Sequence, residues 1–212
     1  MPIHAASPEA SLPPAVAGPA FLRNGAEVWV RPVRPEDQDL VDRFGRTVSL
    51  DGLEERYFAA VRPATAEEEV VATAPVDDRL CLIVLGDQGR WVGILGVGEY
   101  VRTSPGSPLA EVAFLVSEPF RGLGIATLLL ARLARAARAY GIVRFVARVR
   151  NQNPEMLEVF RTSGLPFTEE RVEDEVDVVF PILPPETVAE PRTTGPSDGP
   201  RPPRRTVRHA VA

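Results

Sequence analysis

Cysteine and histidine are nearly missing from this chain of 212 residues. A single cysteine, Cys81, excludes an internal disulfide and a thiolate zinc cluster. Its setting, RLCLIVLG, is that of a buried strand residue rather than a nucleophile. The two histidines, His4 and His209, stand near the chain ends, which leaves a Ser-His-Asp triad without a home. No apolar run approaches the roughly 20 residues that span a bilayer. The opening residues, MPIHAASPEASLPP, have neither the basic start nor the apolar stretch of a secretory signal. An excess of basic charge is missing as well: the net charge is −5, which argues against nucleic acid as the main partner. These absences leave the expectation of a cytoplasmic globular protein with no metal, no membrane and no nucleic-acid partner.

The chain carries 44% hydrophobic residues, ordinary for a packed domain. Residues 1–24 are Ala- and Pro-rich without a period and read as a disordered lead. Residues 184–212 hold seven prolines and five arginines and read as a disordered tail, too poor in apolar surface to order itself. Residues 25–183 between them form one domain. AEVWVRPV alternates as a half-buried strand does. PEDQDLVDRFGRTVS opens with proline and acids, a helix start. DGLEERYFAAV and TAEEEVVATA predict two further helices, the latter capped by Thr65. DRLCLIVLG and WVGILGVGEYV predict a hairpin through GDQGR, and AEVAFLVS a third strand. A long helix over about 122–140 ends at Gly141. VRFVARV follows as a strand, NPEMLEVFRTSG as a helix, and FTEERVED and EVDVVFPI as closing strands. That order predicts an α+β fold with a mixed, mostly antiparallel central sheet flanked by helices. Arg132, Arg135 and Arg138, three apart on the long helix, read as a solvated stripe.

The most specific stretch is EPFRGLGIATLLL, Glu118 to Leu130. Gly122, Gly124 and Ala126 stand between a strand and a helix, where backbone N–H groups converge at the positive end of the helix. Small residues let an anion approach, and Arg121 can add a charged contact. A dinucleotide fold needs a third glycine or alanine three residues on and an acid at the end of the next strand; here stand Thr127 and ARVRN. A P-loop needs a lysine that GIAT lacks. R-x-x-G-x-A fits. On these residues alone the glycines serve either an anion or the geometry of a tight turn.

The segment FLVSEPFRGLGIATLLLARLARAARAYGI resembles the acetyl-CoA segment of the GCN5-related N-acetyltransferase (GNAT) family: strand, pyrophosphate turn, long helix. A second likeness lies in Asn153, Met156, Phe160, Gly164 and Leu165, which match that family's downstream spacing. The resemblance covers roughly residues 26–182. Within it, VRPVRPEDQDLVDRFGRTVSLDGLEERYF, AEVAFLV and NQNPEMLEVF are similar to the bacterial Pat-type protein lysine acetyltransferases. Some of those carry a regulatory cyclic-nucleotide-binding module, for which this chain has no room.

The resemblance implies direct transfer of an acetyl group from acetyl-CoA to a lysine amine of a protein partner, a metabolic enzyme such as an acyl-CoA synthetase. Glu111, opening EVAFLV, matches the subgroup's catalytic glutamate and would be the general base, its carboxyl group raised in pKa by apolar neighbours. Glu99, in GVGEYV, is the reserve. Phe114, Leu115 and Val116 would meet the pantetheine, and Arg121, Gly122, Leu123, Gly124, Ile125 and Ala126 the pyrophosphate. Asn153, Phe160 and Arg161 complete the implied cofactor set, Asn153 as pantetheine contact or helix cap. Many family members place a tyrosine where Phe160 stands, to protonate the leaving thiolate. Two other readings remain open: a small-molecule amine acetyltransferase, and a non-catalytic acyl-CoA-binding regulatory module.

Overall fold

The computed structural model describes residues 12–47, 77–87, 92–150, 154–172 and 175–182. Eight strands form one sheet: β1 (Gly18–Phe21), β2 (Glu27–Pro32), β3 (Arg79–Asp87), β4 (Val92–Arg102), β5 (Leu109–Val116), β6 (Arg144–Arg150), β7 (Thr168–Val172) and β8 (Glu175–Pro181). Among the described residues three α-helices accompany them: α1 (Gln38–Thr47), α2 (Ile125–Ala139) and α3 (Pro154–Thr162). The sheet order is β1-β2-β3-β4-β5-β6-β8-β7, antiparallel at every pairing except β5 with β6. The expected α+β class with a mixed, mostly antiparallel sheet is the one the chain adopts.

Local chemistry accounts for the helix ends. The Arg34 N–H donates to the Asp37 carboxylate at 2.8 Å, and Arg31 grips the same carboxylate at 2.6 and 2.7 Å, so a buried acid fixes the turn that opens α1. The Arg31 guanidinium holds the Asp37 carboxyl group below its usual pKa, against the upward push of burial. At the other end of α2, Gly141 N–H bonds the Arg138 carbonyl and Ile142 N–H the Ala137 carbonyl, both at 3.0 Å. With Gly141 at φ +78° this is a glycine-terminated helix of the expected kind.

Two expectations shift. The long helix begins at Ile125, not near 122, because Gly122 and Gly124 adopt positive φ and belong to the turn. The supposedly disordered lead contains β1, which pairs with β2 from Gly18↔Val30 to Phe21↔Glu27. Pro19 hides this strand from a period-based reading, yet an edge strand tolerates proline, and Val16 and Leu22 bury themselves on either side of it. The helices expected over 51–61 and 65–74, and the tail from 184 onward, lie outside the described residues.

The core occupies both faces of the sheet. On one, α2 contributes Ile125, Leu129, Leu130 and Leu133 to a large cluster with Val84, Leu95, Phe114 and Phe145. On the other, Phe44 of α1 joins Ile83, Ile94 and Leu115. Fully burying each such side chain stabilises by roughly 1.5–3 kcal/mol. The glycines of ILGVG let α2 lie close on β4: a Cβ at Gly98 would stand 2.9 Å from the Phe114 ring and 3.2 Å from Leu129 Cβ.

The β5–β6 pairing is short. It covers Leu109↔Arg144, Ala110↔Phe145 and Glu111↔Val146, while β5 continues to Val116 and β6 to Arg150. Beyond Glu111 no strand among the described residues pairs with β5 on that side, so the backbone N–H and C=O groups that point that way take no ladder bond there.

Candidate active site

Strand β5 feeds the turn directly. After Ser117 a single 3-10 turn spans Glu118–Phe120, Arg121 is extended, and Gly124 (φ +87°) caps α2 in the left-handed region. A side chain at that φ would be strained, which is why glycine stands there. The first N–H groups of α2 have no partner within the helix and point out of its positive end.

A cavity of about 490 Å³ opens at this end of α2. One end is the turn itself, with Arg121, Gly122, Gly124, Ile125, Ala126 and Thr127 in its wall. The remainder is largely apolar, made by Phe114, Val116 and Phe120 with Met156 and Val159 of α3. The Arg121 guanidinium bonds Glu118 at 3.2 Å, while its Nε is buried without a partner. An orphaned buried donor, exposed helix N–H groups and an apolar sleeve fit an elongated ligand with an anionic centre and a neutral arm, such as a CoA thioester.

Of the residues expected to hold acetyl-CoA, Phe114, Val116, Arg121, Gly122, Gly124, Ile125 and Ala126 come together around this cavity. Leu115 points to the opposite face, into the cluster under α1. Leu123 offers its carbonyl to the Arg23 N–H at 3.1 Å. Phe160 is 2% exposed and packs on Phe180 and Phe114, at ring separations of 5.2 and 6.5 Å. Arg161 pairs with Glu169 at 3.2 Å. Asn153 lies outside the described residues.

Glu111 sits at the last paired residue of β5 against β6, opposite Val101 of β4. Side chains alternate along β5, so Glu111, Ala113 and Leu115 share one face while Phe114 and Val116 look into the cavity. Glu111 is half-buried. Arg148 of β6 is within its electrostatic reach: the Arg148 guanidinium is held above its usual pKa by Asp177 first, with Glu175 and Glu111 adding.

Glu99 occupies the same face one diagonal step away, since it opposes Ala113. It is 1% exposed, and Arg79 donates to its Oε2 from Nε and Nη2, each at 3.1 Å. Its Oε1 has no partner. Burial pushes the Glu99 carboxyl group up to about 7, with Arg79 opposing through charge and hydrogen bond.

Sequence reasoning missed Arg23, which lines the cavity from the segment assigned to the lead. It also misread Arg132: that residue is half-buried and bonds the carbonyls of Ala15 and Pro19, the latter at 3.1 Å, so it anchors the N-terminal segment instead of joining a solvated stripe.

Residues 48–165 match the acetyltransferase (GNAT) family profile, and the chain belongs to that family, whose members use acetyl-CoA. It is 28% identical over 163 residues to the acetyltransferase Pat of Mycolicibacterium smegmatis, covering 76% of this chain and 48% of that protein. The crystal structure of the GNAT domain of S. lividans PAT superposes with a TM-score of 0.68 at 28% identity, over 80% of this chain and 98% of that one. A cAMP-binding acyltransferase from Mycobacterium smegmatis gives a TM-score of 0.59 at 26% identity, over 82% of this chain and 50% of that one. The chain thus spans about half the length of the mycobacterial relatives it matches. No helix among the described residues is long and apolar enough to cross a membrane.

Proposed function

We propose that the chain moves an acetyl group from acetyl-CoA to a lysine side-chain amine of a protein acceptor, by direct transfer, with Glu111 as general base. The domain that does this spans residues 25–183, extended by the preceding segment that carries β1 (Gly18–Phe21) as the edge of the sheet. One observation carries the reading: Glu111 marks the residue where β5 leaves β6, on the strand whose next residues wall the cavity.

Acetyl-CoA supplies the acyl group as an activated thioester. The chain's own residues supply binding and proton handling. Arg121 and the N–H groups of the turn hold the pyrophosphate, and Phe114, Val116 and Val159 enclose the pantetheine. An acceptor lysine has a pKa of about 10.4 and becomes nucleophilic only when it loses a proton. The Glu111 carboxylate takes that proton, directly or through a water. A β5 N–H beyond Glu111, past the end of the β5–β6 pairing, stabilises the oxyanion. Phe160 has no proton to give, so the thiolate, with a pKa of about 8.5, leaves unprotonated or takes a proton from water. Similarity to the Pat acetyltransferases supports a protein lysine as acceptor, and an acyl-CoA synthetase is the first candidate.

The sequence contains no lysine; all 24 of its Lys and Arg positions are arginine. Label transferred to lysine from labelled acetyl-CoA therefore reports the acceptor and never this chain. We expect label on acyl-CoA synthetase lysines that is lost in Glu111→Gln. Brisk transfer to a small amine and none to any protein would overturn the protein-acceptor reading. Phe160 favours one rival, a regulatory module that binds the thioester without turnover. That rival predicts binding of acetyl-CoA and no transfer to any amine.

A further inference from the structure

We propose that Arg23, carried on the turn between β1 and β2, is a ligand for a phosphate group of the CoA thioester, so that the N-terminal hairpin is part of the cofactor site. This rests on the acetyl-CoA reading of the cavity and names a residue outside the strand, turn and helix that carry that reading.

The hairpin is fixed in place by bonds on both sides. Leu22 N–H bonds Ala26 and Gly25 N–H bonds Leu22, each at 2.9 Å, closing the turn. Arg23 N–H then donates to the Leu123 carbonyl at 3.1 Å, joining this turn to the glycine turn before α2. Arg132 of α2 secures the preceding residues through the Ala15 and Pro19 carbonyls. Val16 and Leu22 are buried at 0% and 5% exposure, so core contacts anchor the segment on both sides of β1.

The Arg23 side chain lies across Gly124. Its Cγ and Nε each stand 3.4 Å from where a Cβ of residue 124 would be. Nη1 makes a long bond of 3.4 Å to the Gly122 carbonyl. A guanidinium carries five N–H donors in a rigid fork, and this bond uses one of them weakly. Arg23 is among the residues that line the cavity. Of the other charged groups in that wall, Arg121 has a buried, unpartnered Nε and Glu158 comes from α3. Two arginines thus bracket the positive end of α2, and guanidinium suits phosphate oxygens in both charge and fork geometry.

The experiment measures acetyl-CoA affinity and steady-state kinetics for wild type, Arg23→Ala and Arg23→Gln in the full chain. Loss of one charged hydrogen-bonding partner predicts an approximately tenfold rise in Kd and KM for acetyl-CoA, with kcat within about twofold. Arg23→Gln keeps a donor for Gly122, so it preserves the turn should the alanine variant fold poorly. S-acetylpantetheine, which carries no phosphate, should bind all three proteins alike. Dephospho-acetyl-CoA separates the two phosphate sources: a persistent tenfold effect assigns Arg23 to the pyrophosphate, and its disappearance assigns it to the 3′-phosphate. Equal losses for acetyl-CoA and S-acetylpantetheine would mean that Arg23 only holds the turn, and would overturn the proposal. So would unchanged acetyl-CoA affinity in both variants. Failure of wild type itself to bind acetyl-CoA would overturn the cavity reading along with it.

Discussion

Glu99 and Glu111 stand one diagonal step apart on the same face of adjacent strands, and their surroundings differ sharply. Glu99 is sealed at 1% exposure, is gripped by Arg79 and is raised to about 7 by burial. Glu111 is half-buried at the point where β5 and β6 part. A carboxyl group raised to about 7 has the pKa of a candidate base at neutral pH. Reach counts as well, because a base must touch the proton it removes. The proposed role falls to Glu111 because it stands where β5 and β6 part, while Glu99 is enclosed with Arg79. The comparison teaches that a perturbed pKa marks a buried ion pair as readily as a catalytic group.

The largest expected effect tests that division. Glu111→Gln should lower kcat by about two orders of magnitude, the scale of a lost general base, with acetyl-CoA affinity unchanged. Glu99→Gln should stay within a few-fold of wild type. The opposite ranking, measured by acetyl transfer at saturating acetyl-CoA, would move the base to Glu99.

Next in size is the dependence of Glu99 on Arg79. Removing one partner of a buried pair is costly because it strands the other charge. At pH 5 Glu99 is largely neutral in the folded protein, so Arg79→Ala should lower the melting temperature little. At pH 8 the wild-type carboxylate is ionised and paired, and the variant must keep a proton or bury a bare charge. The melting-temperature gap should therefore widen from pH 5 to pH 8. A gap independent of pH would show that Arg79 acts through packing alone.

Glu99→Gln gives the smaller, opposite signal. The folded-state pKa of Glu99 is raised from its ordinary 4.5 to about 7, so between those values the folded protein holds more of this proton than the unfolded chain. Its contribution to stability is fully present below 4.5 and is lost as pH rises through 7. Glutamine does not titrate. Wild type should thus lose ground to Glu99→Gln between pH 4.5 and 7, with the difference level above that, as thermal unfolding across pH would show.

How far the sequence foretold these sites follows from the range of the forces that make them. The glycine turn before α2 was legible because its determinants are local: Gly122, Gly124 and Ala126 each answer to φ or to close approach within six residues of chain. The alternation of β5 placed Glu111, Ala113 and Leu115 on one face for the same reason. Arg23 escaped notice because its partners, Gly122 and Leu123, are 99 and 100 residues away, and no short-range period marks β1. The Arg79–Glu99 pair likewise depends on β3–β4 register, and 20 residues separate its members. The parting of β5 from β6 is longer in range still, since β6 is held on its other side by β8, which inserts ahead of β7.

The smallest effect concerns the leaving thiolate, where Phe160 replaces the family's frequent tyrosine. Phe160→Tyr would add a hydroxyl to a ring that is 2% exposed and wedged between Phe180 and Phe114. The ring is absent from the cavity wall, while Phe114 stands in it. An added hydroxyl in this apolar cluster must find a partner or cost about 1–3 kcal/mol. We therefore expect a lower melting temperature and a kcat within about twofold of wild type. A gain of tenfold or more would show that the hydroxyl reaches the sulfur, and that thiolate protonation, not the proton taken by Glu111, limits the wild-type rate.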